Sequence, residues 1–268
     1  MWKFVNQCQE WLSQSPGAIA YLSDRRHLSA ESIGAAKIGY YPRWADFPPS
    51  QGCPPELSCL KGRIVVPILS EFGKMVVACA GRVPDPAVKG AWWNTAKQGL
   101  KTSHLYGLSA AREEIFRRNK AYVFEGYMDR LVLAQHGLPN SVAAMSTNVG
   151  IRRLGLLARY CERICLCFDT DKNDSGQLWM LRTLADIDLI GIGTMNGICG
   201  MAWEVTVIKL PQGEDPDDFV HANGLEAFLA LERPIGRELL KDAEKAHDQL
   251  KLRLWERKRK ENDQHERR

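Results

Sequence analysis

From residue 121 onward the chain alternates short apolar runs with amphipathic stretches. Ala121–Phe124, Ser141–Met145, Arg163–Phe168 and Val205–Leu210 have the length and β-branched or aromatic content of strands. Between them, Asp129–His136 (closed by Gly137), Val149–Tyr160 and Ser175–Ala185 repeat their apolar residues at helical spacing. Successive strand–helix units predict a mostly parallel sheet with helices on its faces, an α/β architecture. Residues 188–203 are glycine-rich and read as a long connection, and after Pro234 the chain reads as one charged helix.

The first part of the chain is patterned differently. Residues 1–45 read as helical, with Ser29 as an N-cap and Gly39 just past a helix end. Residues 42–61 are rich in Pro, Gly and Ser and predict a loop. Arg63–Leu69 and Lys74–Val83 predict an antiparallel hairpin turning at Glu71-Phe72-Gly73. Residues 84–104 look irregular and carry Lys89, Lys97 and Lys101, and Leu105–Asn119 predicts a helix with Leu108, Ala111 and Ile115 on one face. These changes divide the chain into 1–118 (helical and mixed α/β), 119–230 (α/β) and a charged tail, 231–268.

Composition excludes several classes. No apolar run reaches the length of a membrane span, and the N-terminus lacks the layout of a secretory signal, so a cytoplasmic protein without a membrane partner is expected. The eight cysteines include no C-x-x-C pair, so no zinc is expected. Cys165 and Cys167 alternate within a strand and predict two small buried side chains on one face. There is no G-x-x-x-x-G-K-[ST] loop, and Gly191, Gly193 and Gly197 miss the dinucleotide spacing by one residue. The net charge of +4 is small, but residues 251–268 hold eight basic residues against four acidic ones. A basic surface around an acidic site suits an enzyme acting on a polyanion.

The acidic residues change the picture most. Glu125 and Asp129, then Asp169 and Asp171, then Glu214, Asp215, Asp217 and Asp218 each follow an apolar run. The carboxyl ends of parallel strands converge on one crevice, and carboxylates gathered there repel one another unless a cation joins them. A hard divalent ion suits such oxygens, and a pair of ions stabilises both oxygens of an in-line phosphoryl displacement.

Val123-Phe124-Glu125-Gly126-Tyr127-Met128-Asp129, Phe168-Asp169-Thr170-Asp171 and Gly213-Glu214-Asp215-Pro216-Asp217 resemble the TOPRIM motifs of bacterial-type (DnaG-type) DNA primases. Arg63–Ile68, Cys79–Val83, Trp93-Asn94 and Lys101–Leu108 are similar to the basic subdomain of that family, and Tyr21–Tyr40 to its first helical segment. The resemblance implies a Rossmann-like TOPRIM sheet preceded by a mixed α/β basic subdomain, and templated synthesis of RNA primers. It implies Glu125, Asp169 and Asp171 as catalytic, and these with Asp215 and Asp217 as holders of two or more Mg²⁺ or Mn²⁺ ions. Arg63, Arg82, Asn94 and Lys101 would face template and nucleotide, and Asp129 would support the site. Single-stranded DNA and ribonucleoside triphosphates are the implied partners.

The sequence also departs from that pattern. Thr170 stands where the family has glycine, Lys172–Gly176 is about two residues longer, and Ser146-Thr147 replaces Gly-Thr. A zinc module and a helicase-binding domain are expected to lie elsewhere. A separate zinc-module polypeptide, a replicative helicase partner, and a phage or mobile-element origin follow as expectations. The same acidic set would also serve a metal-dependent nuclease or topoisomerase-like enzyme, and a degenerate version a single-strand-binding accessory protein.

Overall fold

Two sheets organise the chain, and the point where strand pairing changes from antiparallel to parallel falls near residue 119, where the sequence pattern changes. The computed structural model describes residues 1–47, 55–85, 92–95, 103–146, 149–167, 183 and 204–234. The first sheet runs β1 (Gly39–Tyr41), β2 (Arg63–Leu69), β3 (Val76–Arg82) and β4 (Trp92–Asn94), all antiparallel neighbours in that order. Its outer face packs on helix α1 (Trp2–Ser13), where Trp11 stacks on Tyr41 at 5.3 Å and Phe4 meets Tyr41 edge-on. Helix α2 (Pro16–Ala20) runs into a π-turn at Tyr21–Arg25, and α3 spans Ala30–Ala35. Ser29 caps α3, its hydroxyl accepting from the Ser32 amide at 3.1 Å.

The second sheet has the order β6-β5-β7-β8-β9, from β5 (Lys120–Phe124), β6 (Ser141–Ala143), β7 (Arg163–Cys167), β8 (Glu204–Ile208) and β9 (Glu232–Pro234). The first four are parallel, and β9 closes the edge antiparallel. Helices α4 (Leu108–Arg118) and α6 (Gly150–Leu157) cover one face, where Ile115, Val123, Val142, Ile164 and Leu166 are buried together. On the other face α5 (Tyr127–Gln135) and α7 (Pro216–Leu229) pack Leu133, Val220 and Phe228 on Tyr122, Phe124, Cys165, Cys167 and Ile208. This placement fulfils the reading of Cys165 and Cys167 as two small buried side chains on one face of β7. Both cysteines are fully buried, and burial pushes the Cys165 thiol up to about 12. At the closing edge Glu232 accepts from Lys120, Tyr122 and Thr206, which tethers β9 and holds the Glu232 carboxyl below its ordinary range despite burial. A fourth core, with Ile64, Val66, Ile68 and Ala80 of the first sheet and Met128, Leu131 and Val132 of α5, joins the two halves.

Several elements correct the sequence reading. Residues 1–45 are not wholly helical. The chain turns at Lys37 in a left-handed conformation, and Gly39–Tyr41 pairs with β2 because the buried Tyr41 completes the α1 core. The 42–61 segment contains a 3₁₀ turn, Pro55–Leu60, and the 84–104 segment contains β4. Helix α4 starts at Leu108 because Tyr106 bridges to Ala143, and α5 starts two residues before Asp129. A helix after Asp215 was not expected and is present as α7. Helix 175–185, save Thr183, the 188–203 connection, the charged helix after Pro234, and Lys89, Lys97 and Lys101 lie outside the described residues. Among the described residues no helix is long and apolar enough to cross a membrane.

Candidate active site

The parallel strands end on one edge, and the cleft of about 350 Å³ at that edge is lined by Glu125, Asp129, Asp215 and Asp217, with Arg26, Arg82 and Trp92 facing them. Glu125 directly follows β5, and its carbonyl accepts from the Met145 amide at 3.0 Å, which joins the turns after β5 and β6. Asp129 is the third residue of α5, and its Oδ2 accepts from the Gly126 amide at 3.0 Å. A side chain at 126 would put its Cβ 2.4 Å from that oxygen, so the glycine of the Glu-Gly-Tyr-Met-Asp run is a space requirement of the cap. Asp129 therefore has the helix-capping part that its position suggests, and it also reaches the cleft wall.

Asp215 is the residue before Pro216. It takes the extended conformation that position favours (φ −94°, ψ 152°), and Pro216 opens α7. Asp217 and Asp218 fall in the first turn, where the helix dipole favours anions. Carboxylate oxygens of Asp215, Asp217 and Asp218 lie within 4.8 Å of one another. Asp217 is only 5% exposed, and Arg26 Nη1 reaches its Oδ2 at 3.2 Å. Burial pushes the Asp217 carboxyl above its ordinary range, with Arg26 opposing and Asp218 adding to the shift. Asp215 is also raised, first by burial and then by repulsion from Asp217 and Asp218. A set of oxygens that holds its protons too tightly for lack of positive charge is the donor chemistry a hard divalent cation fits.

The basic wall comes from the first sheet and the N-terminal helices. The Tyr21 hydroxyl oxygen accepts from Arg26 Nε at 3.2 Å and from Arg82 Nε at 2.6 Å, so one oxygen aligns both guanidiniums. Arg82 lies over the Trp92 ring at 5.6 Å, and Trp92 rests on Tyr127 at 4.6 Å. His27 stacks on His221 of α7 at 3.6 Å, a second tie between the N-terminal segment and the acidic helix.

The residues expected from sequence are thus only partly assembled. Glu125, Asp129, Asp215, Asp217 and Arg82 share the cleft. Arg63 sits one residue before Ile64, the partner of Arg82 across β2 and β3, so its side chain leaves from the other face, where Nε donates to the Cys59 carbonyl at 3.3 Å. Asn94 lies in β4 opposite Ala80. Asp169, Asp171 and Lys101 lie outside the described residues. Sequence reasoning missed Arg26 and Tyr21. The available signal was the Arg25-Arg26-His27 run interrupting a helical pattern, two adjacent arginines and a histidine beside a single acidic neighbour, Asp24.

A parallel sheet with carboxylates at its strand ends, beside an antiparallel sheet that carries Arg82, is the arrangement of a Toprim-type α/β fold, and a family profile described as Toprim-like matches residues 122–220. More specifically, the fold is that of the DnaG-type primase catalytic core. A solved DnaG catalytic core superposes with a TM-score of 0.70 at 28% identity, covering 87% of this chain and 79% of that one. A DnaG primase catalytic domain bound to single-stranded DNA superposes with a TM-score of 0.71 at 26% identity, covering 87% and 80%. The DNA primase of Clostridium acetobutylicum is 32% identical over 173 residues, 64% of this chain. The chain spans 26% of that relative's length.

Proposed function

We propose that this chain is a primase catalytic core that joins ribonucleotides on a single-stranded DNA template. The observation that carries the reading is the cleft in which Glu125 and the Asp215/Asp217 pair face Arg26 and Arg82. Asp169 and Asp171 follow β7, the strand between β5 and β8, and are assigned to the same set on that sequence position. Mg²⁺ or Mn²⁺ held by Glu125, Asp169, Asp171, Asp215 and Asp217 would neutralise triphosphate charge and lower the pKa of an attacking 3′-hydroxyl.

The protein's own groups do the positioning. Arg82 makes no ion pair among the described residues, and with its Nε spent on Tyr21 its outer nitrogens are left for phosphate oxygens. Arg26 pairs with Asp217 in the resting site and opposes the rise that burial gives its carboxyl. Trp92, braced by Tyr127, offers a flat surface beside the phosphate-binding guanidinium, where a base can stack. Asn94 and Lys101 are assigned to the template side, with residues 1–118 as the template-binding half. Arg63, on the far face of β2, would meet only nucleic acid that wraps that edge. A replicative helicase and a separate zinc-module polypeptide are further proposed partners.

A primer-synthesis assay tests this reading. With single-stranded template, labelled ribonucleotides and Mg²⁺ or Mn²⁺, short RNA products are expected that need template and disappear with EDTA. Degraded template in place of product would assign a nuclease, and binding without either would leave an accessory role.

The acidic cluster also sets a pH dependence. Asp215 and Asp217 have folded-state pKa values raised above their unfolded ones, so their contribution to stability is present at low pH and is lost as pH rises through the raised values. A divalent cation binds the deprotonated pair and reverses that loss. Addition of Mg²⁺ is therefore expected to raise the melting temperature more at neutral pH than in the acidic range where the pair is protonated. An equal or larger rise at acidic pH would contradict this linkage.

A further inference from the structure

Behind the Tyr106–Tyr127 pair lies a second cavity of about 390 Å³, bounded by α3, α4 and α5. From its lining we infer that it is a binding site for the phosphate group of a small organic ligand, anchored by Arg130. Arg130 is 8% exposed and lines the cavity. Its Nε donates to the Ser141 carbonyl at 3.2 Å, and its guanidinium makes no other hydrogen bond and no ion pair among the described residues. Arg153, the other buried arginine, spends Nη1 on the Ser146 hydroxyl and the Val149 carbonyl, and two inward acids have cationic partners. Asp217 has Arg26, and Glu232 has Lys120. A guanidinium cannot shed its proton at physiological pH, so an uncompensated one is held against its own desolvation.

The surroundings favour an anion. Gly107 stands against the guanidinium, and a Cβ there would lie 2.3 Å from Arg130 Nε, so the chain leaves room for this side chain at a position of φ +82°. Gly107 is also the N-cap of the eleven-residue α4, whose positive end borders the cavity through Ser109 and Ala110. The hydroxyls of Ser109 and Tyr106 line it without a hydrogen-bond partner among the described residues. A helix end, a buried guanidinium and two hydroxyls lining one cavity are a donor set suited to a phosphate. Leu69, Leu131, Ala134 and Pro139 supply an apolar wall for an organic body. Glu31 is exposed, lines the cavity and lies beyond 4.0 Å of Arg130, so it disfavours additional negative charge and selects a monophosphate over a triphosphate.

The test uses the whole chain without template or divalent ion, so it is independent of primer synthesis. Adenosine 5′-monophosphate, with inorganic phosphate as a second arm, is titrated at constant ionic strength by calorimetry and by melting temperature. The wild type is expected to bind saturably, and more tightly to the nucleotide than to phosphate. Arg130→Met should weaken binding by about tenfold or more, while Arg82→Ala, which alters the catalytic cleft, should not. Ser109→Asp places a carboxylate at the helix end, in the cavity that Arg130 lines. That variant should melt higher without ligand and respond to neither probe, and it decides the matter if Arg130→Met does not fold. Absence of binding by the wild type, unchanged affinity in Arg130→Met, a wild-type response in Ser109→Asp, or loss confined to Arg82→Ala would each overturn the assignment.

Discussion

Asp217→Asn is expected to lower primer synthesis by about 10²–10³-fold while leaving the protein folded. The substitution keeps the shape of the side chain and removes one ionised oxygen from a cluster whose members lie within 4.8 Å of one another. Several kcal/mol of charge stabilisation in the reacting complex goes with that oxygen, and each 1.4 kcal/mol or so is a factor of ten. Folding should be nearly indifferent. The buried carboxylate stands in an unfavourable environment before any cation arrives, as the upward shift of its pKa records, and Arg26 is partly exposed and can hydrate when its partner is neutral. The measurement is a pair of numbers from one preparation, the rate of RNA synthesis and the melting temperature with and without Mg²⁺. Asparagine should also shrink the Mg²⁺-induced rise in melting temperature. A variant that still synthesises primers within about twofold of wild type would remove Asp217 from the catalytic set, because so small a change is well under 1 kcal/mol.

Phe124→Ala is expected to cost about 3–5 kcal/mol of folding stability. Phe124 is fully buried, and its ring lies 6.1 Å from that of Phe228 on α7. Truncation removes the apolar area and leaves a cavity between two elements that cannot both move, since β5 is hydrogen-bonded on both sides. The consequence extends to the chemistry. Phe124 immediately precedes Glu125, and Phe228 lies beyond the Gly224 kink of α7, the helix that Pro216 opens and whose first turn holds Asp217, so this contact helps to seat that helix beside the strand that carries Glu125. Urea denaturation measures the first effect, and a loss below about 1 kcal/mol would show that the site collapses without cost. The activity of the folded fraction measures the second.

The second sheet was legible because its strands are buried on both faces and its helices on one, and each burial mode leaves its own period in the sequence. That Glu125, Asp215 and Asp217 share one cleft was legible because parallel topology sends all strand ends to one edge. The first sheet was harder. Gly39–Tyr41 and Trp92–Asn94 are three-residue strands, too short to establish a period, and what makes them strands is a partner distant in the chain. Helix α7 was hidden because its head is a run of acidic residues read for their charge, whereas the same residues are good helix starters. Arg26 and Tyr21 were missed for a related reason. Arg26 matters through a partner 191 residues away, and no local pattern encodes that pairing. The placement of Arg63 on the far face of β2 was decipherable in principle, since Arg63 and Arg82 are fixed relative to one another once the hairpin register is known.

The pairing of Arg26 with Asp217 has a consequence for biogenesis. At about 5–20 residues per second, roughly 10–40 seconds of translation separate the two. Throughout that interval the growing polypeptide carries one half of its ionic clasp and lacks the other. Competence to capture a cation is therefore acquired only once Asp217 has been made, and a product that stops short of it would be chemically silent.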